Sequence, residues 1–199
     1  MTPQERTALR KSLRHKRRQL SAREQDEAAA RLYNNIAGQR FFHSAKRIAF
    51  YLPNEGEIDP GFLLAAALAR GQHCYLPLIH PHKKDQLLFV RYRNGDALRS
   101  NRWGIHEPLL RNSSRLSARV LDLVFVPLVG FDAACNRLGM GKGFYDRTFR
   151  FRAHTGKRRP MLIGVAHECQ RVDALESNDW DIRMDKIVSD RQTYQPVPT

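Results

Sequence analysis

Three glycines at alternate positions, Gly139, Gly141 and Gly143, lie within the stretch FDAACNRLGMGKGFYDR, residues 131–147. Where side chains are missing, successive backbone N–H groups can turn inward around an anion, and a helix that starts just beyond points its positive end at the same spot. Arg137 and Lys142 flank these glycines and add fixed positive charge. Asp146 follows Gly143 by one turn of helix. It is placed to reach a magnesium ion bridging phosphate oxygens, because that ion prefers carboxylate, phosphate and water oxygens. The string fits neither GxxxxGK[ST] nor GxGxxG, so neither a Walker A loop nor a dinucleotide fingerprint applies. Strand, glycines, arginine, lysine and aspartate in this order meet several separate requirements of a phosphate site.

The charge of the chain gathers where such a site would use it. The 199 residues carry a formal charge of +14, and two segments account for it. Residues 1–23 hold eight Lys/Arg against Glu5, and residues 137–159 hold eight more against Asp146. The rest is neutral. If the two segments meet in space they form one electropositive basin.

The elements that must position these groups follow from capping and periodicity. Thr2-Pro3-Gln4-Glu5 is a capping box with proline at the first helical position, and Ser21-Ala22-Arg23-Glu24 is a second, opening a helix to about Gly38. In the first helix Leu9, Leu13 and Leu20 form an apolar stripe, with Arg10, Arg14, Arg17 and Arg18 on another. Strands are expected at 47–52, 72–78 and 87–92, with Asn94-Gly95 turning the chain back. A helix over 59–70 ends at Gly71, and 101–117 reads as irregular. The apolar run 121–129 reads as a strand buried on both faces; a loop over 130–143 leads to a helix over 144–151, a basic connection over 152–160, a strand at 161–166 and a short one at 186–188. Strands alternating with helices predict one α/β domain over 1–199: a three-layer sandwich with a mostly parallel central sheet covered by helices on both faces.

With these elements in place, the run RLGMGKGFYDR resembles the RLGxGxGYYDR signature of the 5-formyltetrahydrofolate cyclo-ligase (5,10-methenyltetrahydrofolate synthetase) family. The likeness extends to the basic first helix, AFYLPNEGEID, YLPLI, WGIHEP, DLVFVPLVGFD and IGVAH, most of the chain. Two departures stand out. Cys135 takes the place of a glycine, and Phe144 that of the first tyrosine.

The resemblance implies that ATP drives closure of 5-formyltetrahydrofolate, polyglutamylated or not, to 5,10-methenyltetrahydrofolate with release of ADP and phosphate. It also implies residue roles. Arg137, Leu138, Gly139, Met140, Gly141, Lys142, Gly143, Phe144 and Tyr145 would cradle the nucleotide, and Met140 to Phe144 would also reach the folate. Lys142 would lie nearest the transferring group, with Arg137 and Tyr145 as further catalytic groups. Lys11 and Arg14, or Arg10 in place of Lys11, would contact phosphates. Asp146 and Asp185 would hold Mg²⁺. Glu57 would bind the pterin ring, with Leu52 and Tyr145 against its faces. Trp103 either stacks on the aminobenzoate or plugs the core.

Other classes find less support. A nucleic-acid-binding module is suggested by the basic first helix, yet no helix-turn-helix, RRM or KH signature is present. A sugar-phosphate isomerase or CoA transferase on a similar sheet would not call for this signature together with an N-terminal set of Lys and Arg. The eight histidines show no metal-ligand spacing, and Cys74, Cys135 and Cys169 form no CxxC pair. No apolar run is long enough to span a bilayer, and the N-terminus has no secretory pattern. The expectation is a cytoplasmic monomer that binds neither nucleic acid nor membrane.

Overall fold

The computed structural model of the chain describes residues 1–83, 85–101, 104–109, 115–155 and 159–196. Both capping boxes form, opening α1 (Pro3–Arg18) and α2 (Ala22–Ala37); a short α3 (Arg40–Ser44) follows. Next come β1 (Arg47–Ala49), α4 (Gly61–Ala69), β2 (His73–Ile79) and β3 (Leu87–Tyr92). Short strands β4 (Leu98–Ser100), β5 (His106–Pro108) and β6 (Arg115–Leu116) precede β7 (Leu123–Pro127). The remainder is β8 (Gly130–Phe131), β9 (Arg137–Leu138), α5 (Phe144–Phe149), α6 (Phe151–Thr155), β10 (Met161–Ala166), β11 (Lys186–Ser189) and β12 (Thr193–Tyr194).

The main sheet has eight strands in the order β12-β11-β10-β7-β1-β2-β3-β6. Its centre, β11 through β2, is parallel, and antiparallel pairs close both edges. Alternation along β7 explains the two covered faces. Leu123 and Phe125 join α2, α3 and α4 in one core, around Leu32, Phe42 and Leu63. Val124 and Val126 join α5 in the other, around Phe149 and Phe89. The sandwich expected from the sequence is therefore the fold observed.

Three local expectations need correction. Gly95 does turn the chain, with φ +85°, but β3 does not pair with the strand after it. Instead β3 pairs with β2 and β6, while β4, just before the stretch that read as irregular, forms a separate ribbon with β5 inside it. The supposed loop 130–143 contains a second ribbon, β8–β9. The basic connection after residue 151 begins as helix α6. Two-residue ribbons leave almost no periodic trace in a sequence, since one alternation is all they contain.

Strand order reverses between β1 and β7. From β1 the chain crosses through α4 on one face to β2, and from β7 it crosses through α5 and α6 on the other face to β10. The loops leaving the carboxyl ends of β1 and β7 therefore part company, which opens a crevice where sheets of this kind bind ligands. Residues 50–60 and 128–143 supply its two sides.

Candidate functional site

The glycine turn is built on the β8–β9 ribbon. Buried Asp132 ties the ribbon's loop together, accepting from Asn136 N and Nδ2 at 2.9 Å each and from Leu175 N at 2.9 Å. Cys135 sits in that loop with φ +63°, a conformation that glycine adopts freely and other residues adopt at a cost of about 1–2 kcal/mol. Its burial against the second core offsets that cost.

Beyond Leu138 the turn is braced from below and from both sides. The Arg137 side chain, only 6% exposed, donates to the Asp146 carboxylate and, from Nε, to Ile182 O at 3.3 Å. It lies so close that a Cβ on Gly139 would come within 2.9 Å of Arg137 Nη1. Arg10 Nε donates to Gly139 O at 2.9 Å, and Arg147 donates to Lys142 O and, from Nε, to Asp85 O at 3.0 Å. Gly143, with φ +64°, leaves room for Arg147 Nη1, which would stand 2.7 Å from a Cβ there.

Arginines thus occupy the carbonyls of Gly139 and Lys142, whereas among the described residues no amide from 139 to 143 donates to a protein acceptor. Met140 and Lys142 are exposed on the turn. Phe144 and Tyr145 are half-buried, and Tyr145 stacks on Phe149 at 6.3 Å.

Helix α1 lies against this turn. Its apolar side, Leu9 and Leu13, packs on Val129, Leu138 and Leu175. Gly130 permits the approach, because a Cβ there would sit 2.5 Å from Leu13 Cδ1. The two basic segments do meet. Thr7, Arg10, Lys11, Arg14 and Arg18 on α1 and Met140 on the turn line one cleft of about 340 Å³.

Arg17 departs from the stripe expected for it. Four residues after Leu13, it continues the buried face and is 0% exposed. Its guanidinium spans both sides of the crevice, reaching Glu55 O at 3.0 Å, Asn54 O at 3.4 Å and Leu128 O at 3.4 Å. Glu57 Oε1 lies 3.6 Å from Arg17 Nη2. Spacing from Leu13 was the available signal, and a run of arginines masked it.

Glu57 is buried in the turn that follows β1. Its Oε2 accepts from Asn54 N at 3.1 Å, and left-handed backbone at Glu55 (φ +51°) and Gly56 (φ +75°) curls the chain around it. Burial pushes its pKa up to about 7, with Arg17 and the Asn54 amide opposing the rise. Burial also raises the phenols of Tyr51 and Tyr145, and the Glu57 charge adds to both. The charge of Glu57, in the turn after β1, is therefore felt at Tyr145 on α5. Leu52 is half-buried at the edge of the first core. Trp103 lies outside the described residues.

Asp146 Oδ1 accepts from Arg137 and from Ile182 N at 3.0 Å, while neither bond uses Oδ2. One such oxygen fits Mg²⁺, which commonly takes one or two carboxylates and completes its shell with phosphate and water. Asp185 fits poorly. Both its oxygens accept from Arg152 Nη2 at 2.8 Å, Oδ2 also takes Leu162 N at 2.7 Å, and the residue stands at the amino ends of β10 and β11. Among the described residues, no group of three or more His, Cys, Asp or Glu is arranged to hold a metal ion.

By fold this is an α/β protein with a doubly covered, mostly parallel sheet and a cationic crevice at its switch point. The family model described as the 5-formyltetrahydrofolate cyclo-ligase family matches residues 2–190. The 5-formyltetrahydrofolate cyclo-ligase of Haemophilus influenzae is 35% identical over 188 residues, covering 94% of this chain and 99% of that protein. That of Escherichia coli K12 is also 35% identical, over 183 residues, with 92% and 99% covered. The solution structure of Aquifex aeolicus 5,10-methenyltetrahydrofolate synthetase superimposes with a TM-score of 0.82 at 28% identity, covering 98% of this chain and 94% of that one. The chain belongs to the 5-formyltetrahydrofolate cyclo-ligase family.

Proposed function

We propose that this protein closes 5-formyltetrahydrofolate to 5,10-methenyltetrahydrofolate at the expense of ATP, releasing ADP and phosphate. The observation that carries the site assignment is the run of undonated amides at 139–143 beside a helix that brings Arg10, Lys11, Arg14 and Arg18 to the cleft lined by Met140. A triphosphate supplies the acceptors those amides lack and the charge that four cations call for.

In this reading the formyl oxygen attacks the γ-phosphorus and ADP leaves. The neighbouring aryl amine then attacks the activated carbon, loses its proton, and phosphate departs with the former formyl oxygen. An amide oxygen is a poor leaving group and phosphate a good one, which is what ATP contributes. The chain's task is positioning and charge neutralisation. Lys142, exposed between two glycines of the turn, stabilises charge on the transferring group. Arg137 works from beneath, fixing the turn through Asp146 and Ile182 and lending its charge. Mg²⁺ would arrive with the nucleotide and offset phosphate charge, with Asp146 to hold it.

Glu57 would receive the pterin ring, since a carboxylate facing an N–C–N edge accepts two hydrogen bonds at once, with Leu52 and Tyr145 against the ring. The phosphate side and this side of the crevice are joined by Arg17, so the two substrates meet across a rigid bridge. The basic stripe then serves a small polyanion rather than nucleic acid. We further propose a single-domain monomer working in the cytoplasm. All three cysteines are free, and two are buried, as suits a reducing compartment.

The test is turnover of purified protein with ATP, Mg²⁺ and 5-formyltetrahydrofolate. Near-ultraviolet absorbance of the methenyl product should rise with one ADP formed per product, and neither should appear when ATP or the folate is omitted.

A further inference from the structure

Two of the cations lining the cleft already hold an anion from the protein itself. Glu55 projects from the turn after β1, and its two carboxylate oxygens accept separately from Arg14 and Arg18. Those are two of the cations that line the cleft. The Glu55 carbonyl is held as well, by Arg17 Nε at 3.0 Å. Three arginines from the C-terminal end of α1 therefore converge on one residue.

That residue also carries backbone strain. Glu55 has φ +51°, where a side chain costs about 1–2 kcal/mol relative to extended backbone. Glycine stands next to it, at Gly56, and not at this position. A side chain kept in a strained position is one whose interactions repay the strain. Here the interactions are the two ion pairs. The Glu55 side chain is 28% exposed, so solvent and solutes can reach the pair. Burial pushes its carboxyl up, but Arg14, Arg18 and Arg17 together hold it below the usual carboxylate range, so it stays charged at neutral pH.

We infer that Glu55 is a displaceable counter-ion for the cleft: it holds Arg14 and Arg18 in place until a phosphate group of the nucleotide takes them over. The inference rests on the ATP reading above and adds to it a residue that no phosphate-binding pattern points to. An internal carboxylate keeps two guanidinium groups ordered without a ligand, and the competition it sets against an incoming phosphate outweighs the ordering entropy it saves. It also sets a threshold. A polyphosphate carries enough charge to displace one carboxylate from two arginines, whereas a small, weakly charged anion does not. Glu55 is thus a positioning residue that tilts the cleft toward polyphosphate.

Two variants and one competitor test this. Glu55→Gln removes the charge, and Glu55→Gly removes the whole side chain at a backbone conformation that glycine accepts without strain. Each should lower the KM for ATP about three- to fivefold, the scale of a partly exposed ion pair. Each should also tighten competitive inhibition by inorganic phosphate against ATP by at least as much. The KM for 5-formyltetrahydrofolate should move by less than twofold. Glu55→Asp keeps the charge and should keep wild-type values for ATP and phosphate. A KM for ATP that rises or stays unchanged in both Glu55→Gln and Glu55→Gly would overturn the counter-ion role, leaving Glu55 as a brace of the turn. Wild-type protein that forms no methenyl product would defeat the underlying reading instead, so the two failures are distinct.

Discussion

Arg10 Nε donates to the carbonyl oxygen of Gly139 across 2.9 Å, joining residues 129 positions apart in the chain. The bond has two effects. It fixes the first helix against the glycine turn, and it occupies a carbonyl of the turn with a protein donor, which suits the proposed phosphate site. Arg147 does the same for the carbonyl of Lys142 from the far side. Positive groups thereby brace the turn and, in the proposed function, also supply field for the nucleotide.

Lys142 sits at the exposed crest of that turn. Lys142→Ala should lower kcat by roughly 10²-fold or more if the ammonium stabilises charge on the transferring phosphoryl group. Steady-state kinetics with both substrates saturating decide this, and a near-normal kcat would remove the role.

Asp146 has two claims on it, Arg137 on one oxygen and the proposed Mg²⁺ on the other. Asp146→Asn keeps an acceptor for Arg137 but weakens a metal ligand, so the Mg²⁺ concentration for half-maximal rate should rise. An unchanged metal titration would leave Asp146 only as the anchor of Arg137.

Glu57, with a pKa near 7, gives the protein a measurable pH signature. Folding raises this carboxyl above its unfolded value, so the folded state binds the extra proton between roughly pH 4.5 and 7, and the resulting stability is lost as pH rises through that window. A melting-temperature series should show this fall in the wild type and not in Glu57→Gln. If Glu57 receives the pterin as proposed, folate binding needs its ionised form and should run the other way. The kcat/KM for 5-formyltetrahydrofolate should climb through pH 7 in the wild type. Glu57→Gln should mainly raise the KM for folate, and equal losses for folate and ATP would indicate a structural role.

Arg17 is the residue whose loss should be felt most. Arg17→Met leaves Glu57 without its cation and the Glu55 carbonyl without its side-chain donor, while the carbonyls of Asn54 and Leu128 keep only Glu57 N and Gln170 Nε2. Removing one partner of a buried pair costs about 3–5 kcal/mol, which thermal or denaturant unfolding would register. The apparent pKa of Glu57 should rise further as well. A variant as stable as the wild type would show that the bridge across the crevice is dispensable.

Much of this was legible in the sequence, for identifiable reasons. Capping boxes are local, so the starts of α1 and α2 fell where Thr2 and Ser21 said they would. The β-branched run of β7 is buried on both faces and shows it. The glycine turn could be picked out from residue types alone, and it does lie against α1. What could not be read were relations set by tertiary contact. Arg17 looked like one more basic residue on a solvated stripe until its helix was laid against Leu128 and Asn54. Glu55 looked like loop until Arg14 and Arg18 closed on it. Asp185 has the residue type of a metal ligand, yet its place at the amino ends of the strands turns it toward Arg152 and Leu162. Gly130 marked no turn of its own; what demands it is Leu13, more than a hundred residues earlier.

Backbone amide resonances report most directly on the claim that residues 139–143 wrap a polyphosphate. Titrating isotope-labelled protein with ATP should shift the amides of Gly139, Gly141, Lys142 and Gly143 together with those of Arg10 to Arg14, at one dissociation constant, and slow hydrogen exchange in the turn. If ATP binds while those glycine amides stay unmoved and the perturbation falls elsewhere on the chain, the site has been placed wrongly.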